Sequence, residues 1–434
     1  MKTYLEAEEY LLDVPRFTKK NTLEDTSLFL ESLGNPGIGR KVIHVAGTNG
    51  KGSVCVYLCS ILSKAGYRVG MFSSPHLVEM RERFRIDGTV VGEEAFVHAF
   101  TKVSEHIGAM RTSKGDCYHP TFFEFLFFMG MLLFEEEEVD YILLETGLGG
   151  RLDATNVVPK PVLTVITEIG MDHMEYLGET IPEIAMEKAG ILKPGVPVVF
   201  CDKRTEASKV IIKRAKSLGI QAFSVSAEDY LNVNLTNKSI DFSFRSRYYD
   251  YIRLMVRTKA LYQVENAAIA ARCIEVLNDE TVTLEHLRTG IESMVWEGRM
   301  EEVMPGIYLE GAHNEDGIYA FLETVKVDSC EGKRYLLFSA VSDKDYASMV
   351  RMLSKERLFH FTAVTKLGSG RAAPLDKLCE AFAHSSSEYE FFESTKDAFT
   401  FLLEKKKEQD SIYIAGSLYL VGEIKELLRR RTDD

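Results

Sequence analysis

Residues 41–66, KVIHVAGTNGKGSVCVYLCSILSKAG, set a short apolar run, a glycine-rich turn and an amphipathic run directly one after another. This succession limits the fold more than any other feature of the chain. KVIHVAG (41–47) has no polar alternation and reads as a strand buried on both faces. SVCVYLCSILSKAG (53–66) reads as a helix ended by Gly66. The alternation then continues. YRVGMFSS (67–74), VDYILLETG (139–147), PVLTVITEIG (161–170) and VPVVF (196–200) read as strands, and FFEFLFFMGMLLF reads as a buried helix. Strands separated by helices are joined by crossovers, not hairpins, so the expectation is a parallel sheet with helices on both faces.

LNVNLTNKSIDFSFRSRYYDYIRLMV (231–256) alternates polar and apolar residues and reads as a β meander, and ALYQVENAAIAARCIEVL (260–277) as an amphipathic helix. Near SMVWEGRMEEV (293–303) a new series begins: GIYLEG (306–311), RYLLFSAV (334–341), LFHFTAVT (358–365) and SIYIAGS (411–417), each followed by a helical pattern. We place a boundary between an N-terminal domain, 1–297, and a smaller α/β domain, 298–434.

The net charge of −13 argues against a nucleic-acid or membrane-surface role, which favours basic faces. It leaves room for anionic small molecules in a local basic pocket. The seven cysteines (Cys55, Cys59, Cys117, Cys201, Cys273, Cys330, Cys379) are odd in number and scattered, with no C-x-x-C, which fits a reducing, cytoplasmic setting better than a disulfide framework. The stretch nearest to a membrane span, HPTFFEFLFFMGMLLFEEEE, is interrupted by Glu124 and ended by four glutamates.

HVAGTNGKGS (44–53) approaches the phosphate-loop pattern G-x-x-x-x-G-K-[ST] and departs from it twice. Val45 stands where the first glycine belongs, Gly52 where the hydroxyl belongs, and Ser53 follows one step late. The physics is nevertheless complete. Glycines let backbone N–H groups curl around phosphate, the helix N-terminus adds partial positive charge, and Lys51 reaches the terminal phosphates. Ser53 or Thr48 supplies a hydroxyl. Glu145 and His173 follow apolar runs and so stand near the carboxyl ends of strands, where open α/β sheets bind ligands. Taken alone, Glu145 reads equally as a strand-end carboxylate with a cap or arginine partner, and His173 reads first as a satisfied surface histidine.

G-T-N-G-K-G-S resembles the ATP loop of the Mur ligase superfamily, in its folylpolyglutamate synthase and dihydrofolate synthase branch. SSPHLVEMRERFRIDG (73–88), ETGLGGRLDATN (145–156), ITEIGMDHMEYLG with EKAGILKPG (166–178, 187–195), EGAHNEDG (310–317) and GSLYLVGE (416–423) extend the resemblance in order. PRF (15–17) and LGNP (33–36) are similar to the family's opening. The resemblance implies a P-loop-type, mostly parallel N-terminal domain and a Rossmann-like C-terminal one. It also implies a monomer that binds ATP, L-glutamate and a folate or pteroate, with no nucleic-acid or membrane partner. The reaction it implies is ATP-dependent addition of glutamate through an acyl phosphate.

The resemblance implies roles as well. Gly47, Thr48, Asn49, Gly50, Lys51, Gly52, Ser53, Asn266 and Arg299 would contact ATP. Ser73 or Ser74, Glu145 and His173 would hold Mg²⁺, and Lys188, carbamylated by CO₂, would help hold a second ion. Left as a free ammonium, Lys188 would instead pair with Glu187 or Glu183. Lys51, Lys188 and His313 are the catalytic candidates. Arg83, Thr121, Phe123, Glu124, Glu310 and Ser417 are the substrate-side candidates, Phe123 offering a flat face to a heteroaromatic ring. A solvated helix face for Asn266 and a linker salt bridge for Arg299 stay open as plainer alternatives. The chain departs from the family at Glu310 (usually aspartate), Glu315 (often proline) and Glu168 (often asparagine), and each change keeps or adds negative charge. A Mur-type ligase for another carboxylate and a non-ligating nucleotide switch are the competing readings. For the switch, no N-K-x-D guanine motif is present.

Overall fold

The computed structural model describes residues 3–14, 21–108, 110, 111, 115, 118–236, 238–368, 370–383 and 388–433. The PRF stretch at 15–17 and Cys117 lie outside them. Eight strands form the first sheet: β1 Lys41–Ala46, β2 Val69–Phe72, β3 Phe84–Ile86, β4 Thr89–Val90, β5 Tyr141–Glu145, β6 Leu163–Ile166, β7 Val198–Cys201 and β8 Ala222–Val225. Their order is β4-β3-β2-β5-β1-β6-β7-β8, parallel from β2 to β8 with an antiparallel extension through β3 and β4.

The unbroken apolar runs have a direct cause. On β1, Ile43 and Val45 enter a core with the helices Lys51–Lys64 and Tyr262–Leu277, while Val42 faces the aromatic core of the helix Phe122–Glu136. On β5, Leu143 takes the first side and Ile142 and Leu144 the second. With apolar helices on both faces, neither side of a strand can be polar. His44, in the middle of β1, is an exception. Its Nε2 lies 2.8 Å from Thr155 Oγ1, and burial lowers its pKa to about 3, so the imidazole is neutral.

Residues 231–256 fall in an antiparallel three-stranded sheet, β9 Tyr230–Leu235, β10 Ile240–Phe244 and β11 Ile252–Val256, as the alternation predicts. The last sheet comprises β12 Arg299–Met304, β13 Ile307–Glu310, β14 Arg334–Phe338, β15 Phe361–Thr365, β16 Glu388–Phe392 and β17 Ser411–Ala415, in the order β12-β13-β17-β14-β15-β16. Only β12 runs antiparallel to its neighbour. The helix after β1 begins at Lys51, two residues before the sequence expectation, so Lys51 and Gly52 belong to its first turn. Among the described residues, no helix is long and apolar enough to cross a membrane.

Candidate active site

The carboxyl ends of the parallel strands in both large sheets meet at one cleft of about 580 Å³. Every site residue expected from sequence lines it, with one exception. Ser73 is buried outside the lining, its N–H given to the Arg83 carbonyl at 3.0 Å. Of the two serine alternatives, Ser74 is therefore the one at the cleft.

The loop after β1 owes its shape to position-specific glycines. Gly50 has φ +85° and caps the helix at Lys51, and a Cβ there would collide with Asn266 Oδ1. Asn266 is buried, so it does not lie on a solvated helix face; it donates to Gln263 Oε1 at 3.1 Å. Thr48 Oγ1 is engaged with Gly170, donating to its carbonyl at 3.2 Å and accepting from its N–H at 3.0 Å. Ser53 Oγ, also buried, accepts from Gln263 Nε2 at 3.1 Å. Lys51 Nζ donates to Thr48 O at 3.1 Å and lies 3.9 Å from Glu145 Oε1.

Glu145 ends β5 beside Val45 of β1 and accepts from the Ser74 N–H at 3.2 Å. Burial raises its pKa, against the pull of Lys51 and Arg299. Lys188 is buried and donates to the Gly47 carbonyl at 2.7 Å. The expected alternative pairing with Glu187 or Glu183 is absent, because Glu187 pairs with Arg151 at 2.9 Å and Glu183 caps its own helix at Thr180. Burial, reinforced by Lys51, lowers the Lys188 pKa to about 7. His173 sits in the left-handed region (φ +50°), a strained conformation for a non-glycine residue. Burial lowers its pKa to about 4, so its imidazole is neutral.

The second sheet brings Arg299, Glu310, His313 and Ser417 to the opposite wall. Arg299 stands at a β-bulge between β12 and β13, followed by Met300 at φ +49°. A bulge re-aims a side chain, here toward the cleft. Arg299 donates to Gly298 O at 3.0 Å and faces Glu310, whose pKa burial raises while Arg299 opposes. Glu310 accepts from Tyr262 OH at 2.6 Å and from Met300 N–H at 3.2 Å, so its extra methylene is absorbed by a tyrosine. His313 Nδ1 lies 2.7 Å from Gly311 O, which puts the proton on Nδ1 and leaves Nε2 as an acceptor. Burial lowers its pKa to about 4. Of the other departures, Glu168 pairs with Lys203 at 2.5 Å, and Glu315 is exposed at the start of the helix Glu315–Val327.

Thr121 and Glu124 line the cleft, but their bonds are structural. They form a capping box on the helix Phe122–Glu136, and Glu124 also accepts from Asn21 at 2.7 Å and Thr26 at 3.2 Å. T-F-F-E fits the S/T-x-x-E signature of such a box, a signal already present in the sequence. Phe123 lies 5.5 Å from Phe72 and against the Gly147 backbone. Arg83 Nε donates to His76 Nδ1 at 2.9 Å.

Sequence reasoning missed Asp172, Lys344, Arg371, Tyr262 and Tyr419, all of which line the cleft. Lys344 Nζ pairs with Asp172 at 2.5 Å, the two side chains largely shielded, and lies 3.3 Å from His173 Nε2. Burial pushes Asp172 up, yet the Lys344 ammonium beside it holds it below the usual carboxylate range. Asn314 bridges the walls too, donating to Asn49 Oδ1 at 3.1 Å and Asp172 Oδ2 at 3.2 Å. Lys344 belongs to V-S-D-K-D, a charged cluster just past a strand, the same placement that singled out Glu145. Among the described residues, no three His, Cys, Asp or Glu side chains are grouped to hold a metal by themselves.

Residues 97–274 match the model of the Mur ligase middle domain, and residues 298–418 that of the Mur ligase, glutamate ligase domain. The dihydrofolate synthase/folylpolyglutamate synthase of Bacillus subtilis (strain 168) is 35% identical over 434 residues, which span 98% of this chain and 99% of the relative. The folylpolyglutamate synthase of Lacticaseibacillus casei is 31% identical over 432 residues, spanning 98% of each. Among solved structures, E. coli FolC in complex with DHPP and ADP superposes with a TM-score of 0.86 at 28% identity, covering 99% of both chains. An FPGS–AMPPCP complex gives 0.84 at 28% identity, covering 99% of this chain and 100% of that one.

Proposed function

The chain belongs to the dihydrofolate synthase/folylpolyglutamate synthase family of Mur ligases, and from that premise we propose that its cleft joins L-glutamate to the carboxyl group of a folate, with ATP as phosphoryl donor. We extend the proposal to dihydropteroate as a second acceptor. One observation carries the reading: the glycine loop with Lys51 on one wall and Arg299 with His313 on the other face a single cleft. Such a cleft can hold a triphosphate, an acid and an amine together.

A carboxylate resists amines because oxide would have to leave. Its oxygen instead attacks the γ-phosphorus, the bond to ADP breaks, and an acyl phosphate forms. The glutamate amine, in its uncharged form, then attacks the carbonyl carbon, and phosphate departs with the former carboxylate oxygen and takes up the proton the nitrogen loses. Lys51 and Arg299 neutralise charge spread over the phosphoryl oxygens. His313, with a pKa near 4, is a weak proton sink at neutral pH; its Nε2 serves to accept a hydrogen bond from the amine and aim it. Phe123 receives the flat heteroaromatic end of the acceptor. The opposed walls exclude water that would hydrolyse the acyl phosphate.

Glu145, Ser74 and His173 are the residues that would hold Mg²⁺. The donor chemistry fits, with a buried carboxylate, a hydroxyl and a neutral imidazole, and so few protein ligands suit an ion that keeps water and substrate phosphate around it. When bound, the ion supplies further neutralisation of the phosphates. Lys188, held near pH 7 in its loss of a proton, has the neutral amine that CO₂ needs to form a carbamate, and that carbamate would give an anionic oxygen to a second ion. We assign residues 1–297 to the nucleotide-binding domain and 298–434 to the glutamate-ligase domain, and treat the working unit as a monomer.

Purified protein with ATP, Mg²⁺ and glutamate, offered tetrahydrofolate or dihydropteroate separately, tests the proposal. ADP and phosphate should appear only when both acceptor and glutamate are present. Nucleotide hydrolysis indifferent to both would support a switch and overturn the ligase reading.

A further inference from the structure

Position 52 is where the common phosphate loop carries a hydroxyl residue, and here it is glycine. The structure supplies a reason. A Cβ on Gly52 would sit 3.2 Å from Cζ2 and 3.3 Å from Nε1 of Trp296, the one tryptophan of the chain. A side chain at 52 would press on the indole and push it away by a few tenths of an ångström. Arg85, from β3, lies over the same ring at 5.3 Å.

Trp296 is not itself in the cleft lining, and it belongs to the segment 294–298 that joins the two large sheets. On its far side that segment is fixed to the second sheet. Glu297 pairs with Lys425 at 2.5 Å, Gly298 O accepts from Gly311 N–H at 2.8 Å, and Gly298 N–H donates to Glu301 at 2.7 Å. Arg299 follows at once, aimed by its bulge and bonded back to Gly298 O.

We infer that Trp296 is a positioning residue for the ligation, acting through Arg299: it docks the inter-sheet segment on the first turn of the nucleotide-loop helix and so sets where Arg299 meets the phosphates. Gly52 is the complementary half of the contact. The inference rests on the ligase reading above. Its chemistry is geometric, because a guanidinium displaced by about 1 Å loses much of its effect on a phosphoryl group.

The test compares kcat/KM for ATP in the full chain for Trp296→Ala, Trp296→Phe, Arg299→Ala and the double variant Trp296→Ala/Arg299→Ala, alongside the melting temperature. Trp296→Ala should lose about tenfold and Trp296→Phe about twofold or less. In the Arg299→Ala background Trp296→Ala should cost almost nothing more, since two parts of one device are not additive. Full additivity, or a Trp296→Ala loss explained by instability that Trp296→Phe shares, overturns the inference. A second arm needs no folded variant at that position. Titrating wild type with AMPPCP should shift tryptophan emission saturably, and Lys51→Ala should abolish the shift. Unchanged emission at saturating AMPPCP also overturns the inference. If wild type fails to ligate, the ligase reading falls; if it ligates and these arms fail, only the role of Trp296 does.

Discussion

Lys51 and Lys188 show how two lysines of one cleft differ by environment. Lys51 keeps part of its side chain accessible and faces Glu145, whereas Lys188 is buried against a carbonyl with Lys51 as a neighbouring like charge. Lys51→Ala should reduce ligation by about a hundredfold or more, as loss of a preorganised charge at a phosphoryl site does, with an unchanged circular dichroism spectrum. Retained turnover would remove the loop's assigned role. Lys188 should show in stability. Its folded pKa near 7 lies below the ordinary 10.5, so the unfolded chain binds the extra proton between those values. Stability relative to Lys188→Met should be lowest below pH 7 and rise from pH 7 toward 10.5. Denaturant unfolding of both proteins in CO₂-free buffer checks this, and a difference that is flat or falls with pH would contradict it.

The helix Phe122–Glu136 begins at a capping box whose Glu124 also ties down Asn21 and Thr26. Thr121→Ala should cost about 1 kcal/mol, measured by denaturant unfolding, and leave KM for the folate within a small factor. A large KM change without destabilisation would support the substrate role expected from the resemblance. This element marks the limit of motif reading, since a matched string gave residue identity while the bonds belong to helix initiation. The strands were legible for the opposite reason. Val42, Ile43, Leu143 and Leu144 face apolar helices on both sides, so burial is written into consecutive residues. The glycine loop was legible because its order, strand, turn and helix, is local. Asp172 and Lys344 are 172 positions apart and Tyr262 and Glu310 are 48 apart, so no local pattern pairs them, though Lys344 could have been noted at a strand's end.

Across the whole molecule, two largely parallel sheets point their carboxyl ends at each other, and both polar pairs and apolar packing join the two halves, with Ala260 and Leu77 packed into the C-terminal cores. Asp172–Lys344, the Asn314 bridge and Tyr262–Glu310 are shielded polar links, and Arg204 pairs with Asp316 nearer the rim. Lys344→Ala would leave Asp172 buried without its ammonium, a loss of about 3 kcal/mol, so the two sheets should separate more readily. Small-angle scattering should give a larger radius of gyration for the variant, and an unchanged radius with unchanged stability would show that the pair does not hold the cleft closed. Closure matters because the intermediate is destroyed by water. In the reaction proposed, the acceptor acid passes through an acyl phosphate inside this cleft. Its most direct test is ligation with an acceptor whose carboxylate is labelled with ¹⁸O. One labelled oxygen per turnover should appear in inorganic phosphate, and phosphate free of label while amide product accumulates would rule the acyl phosphate out.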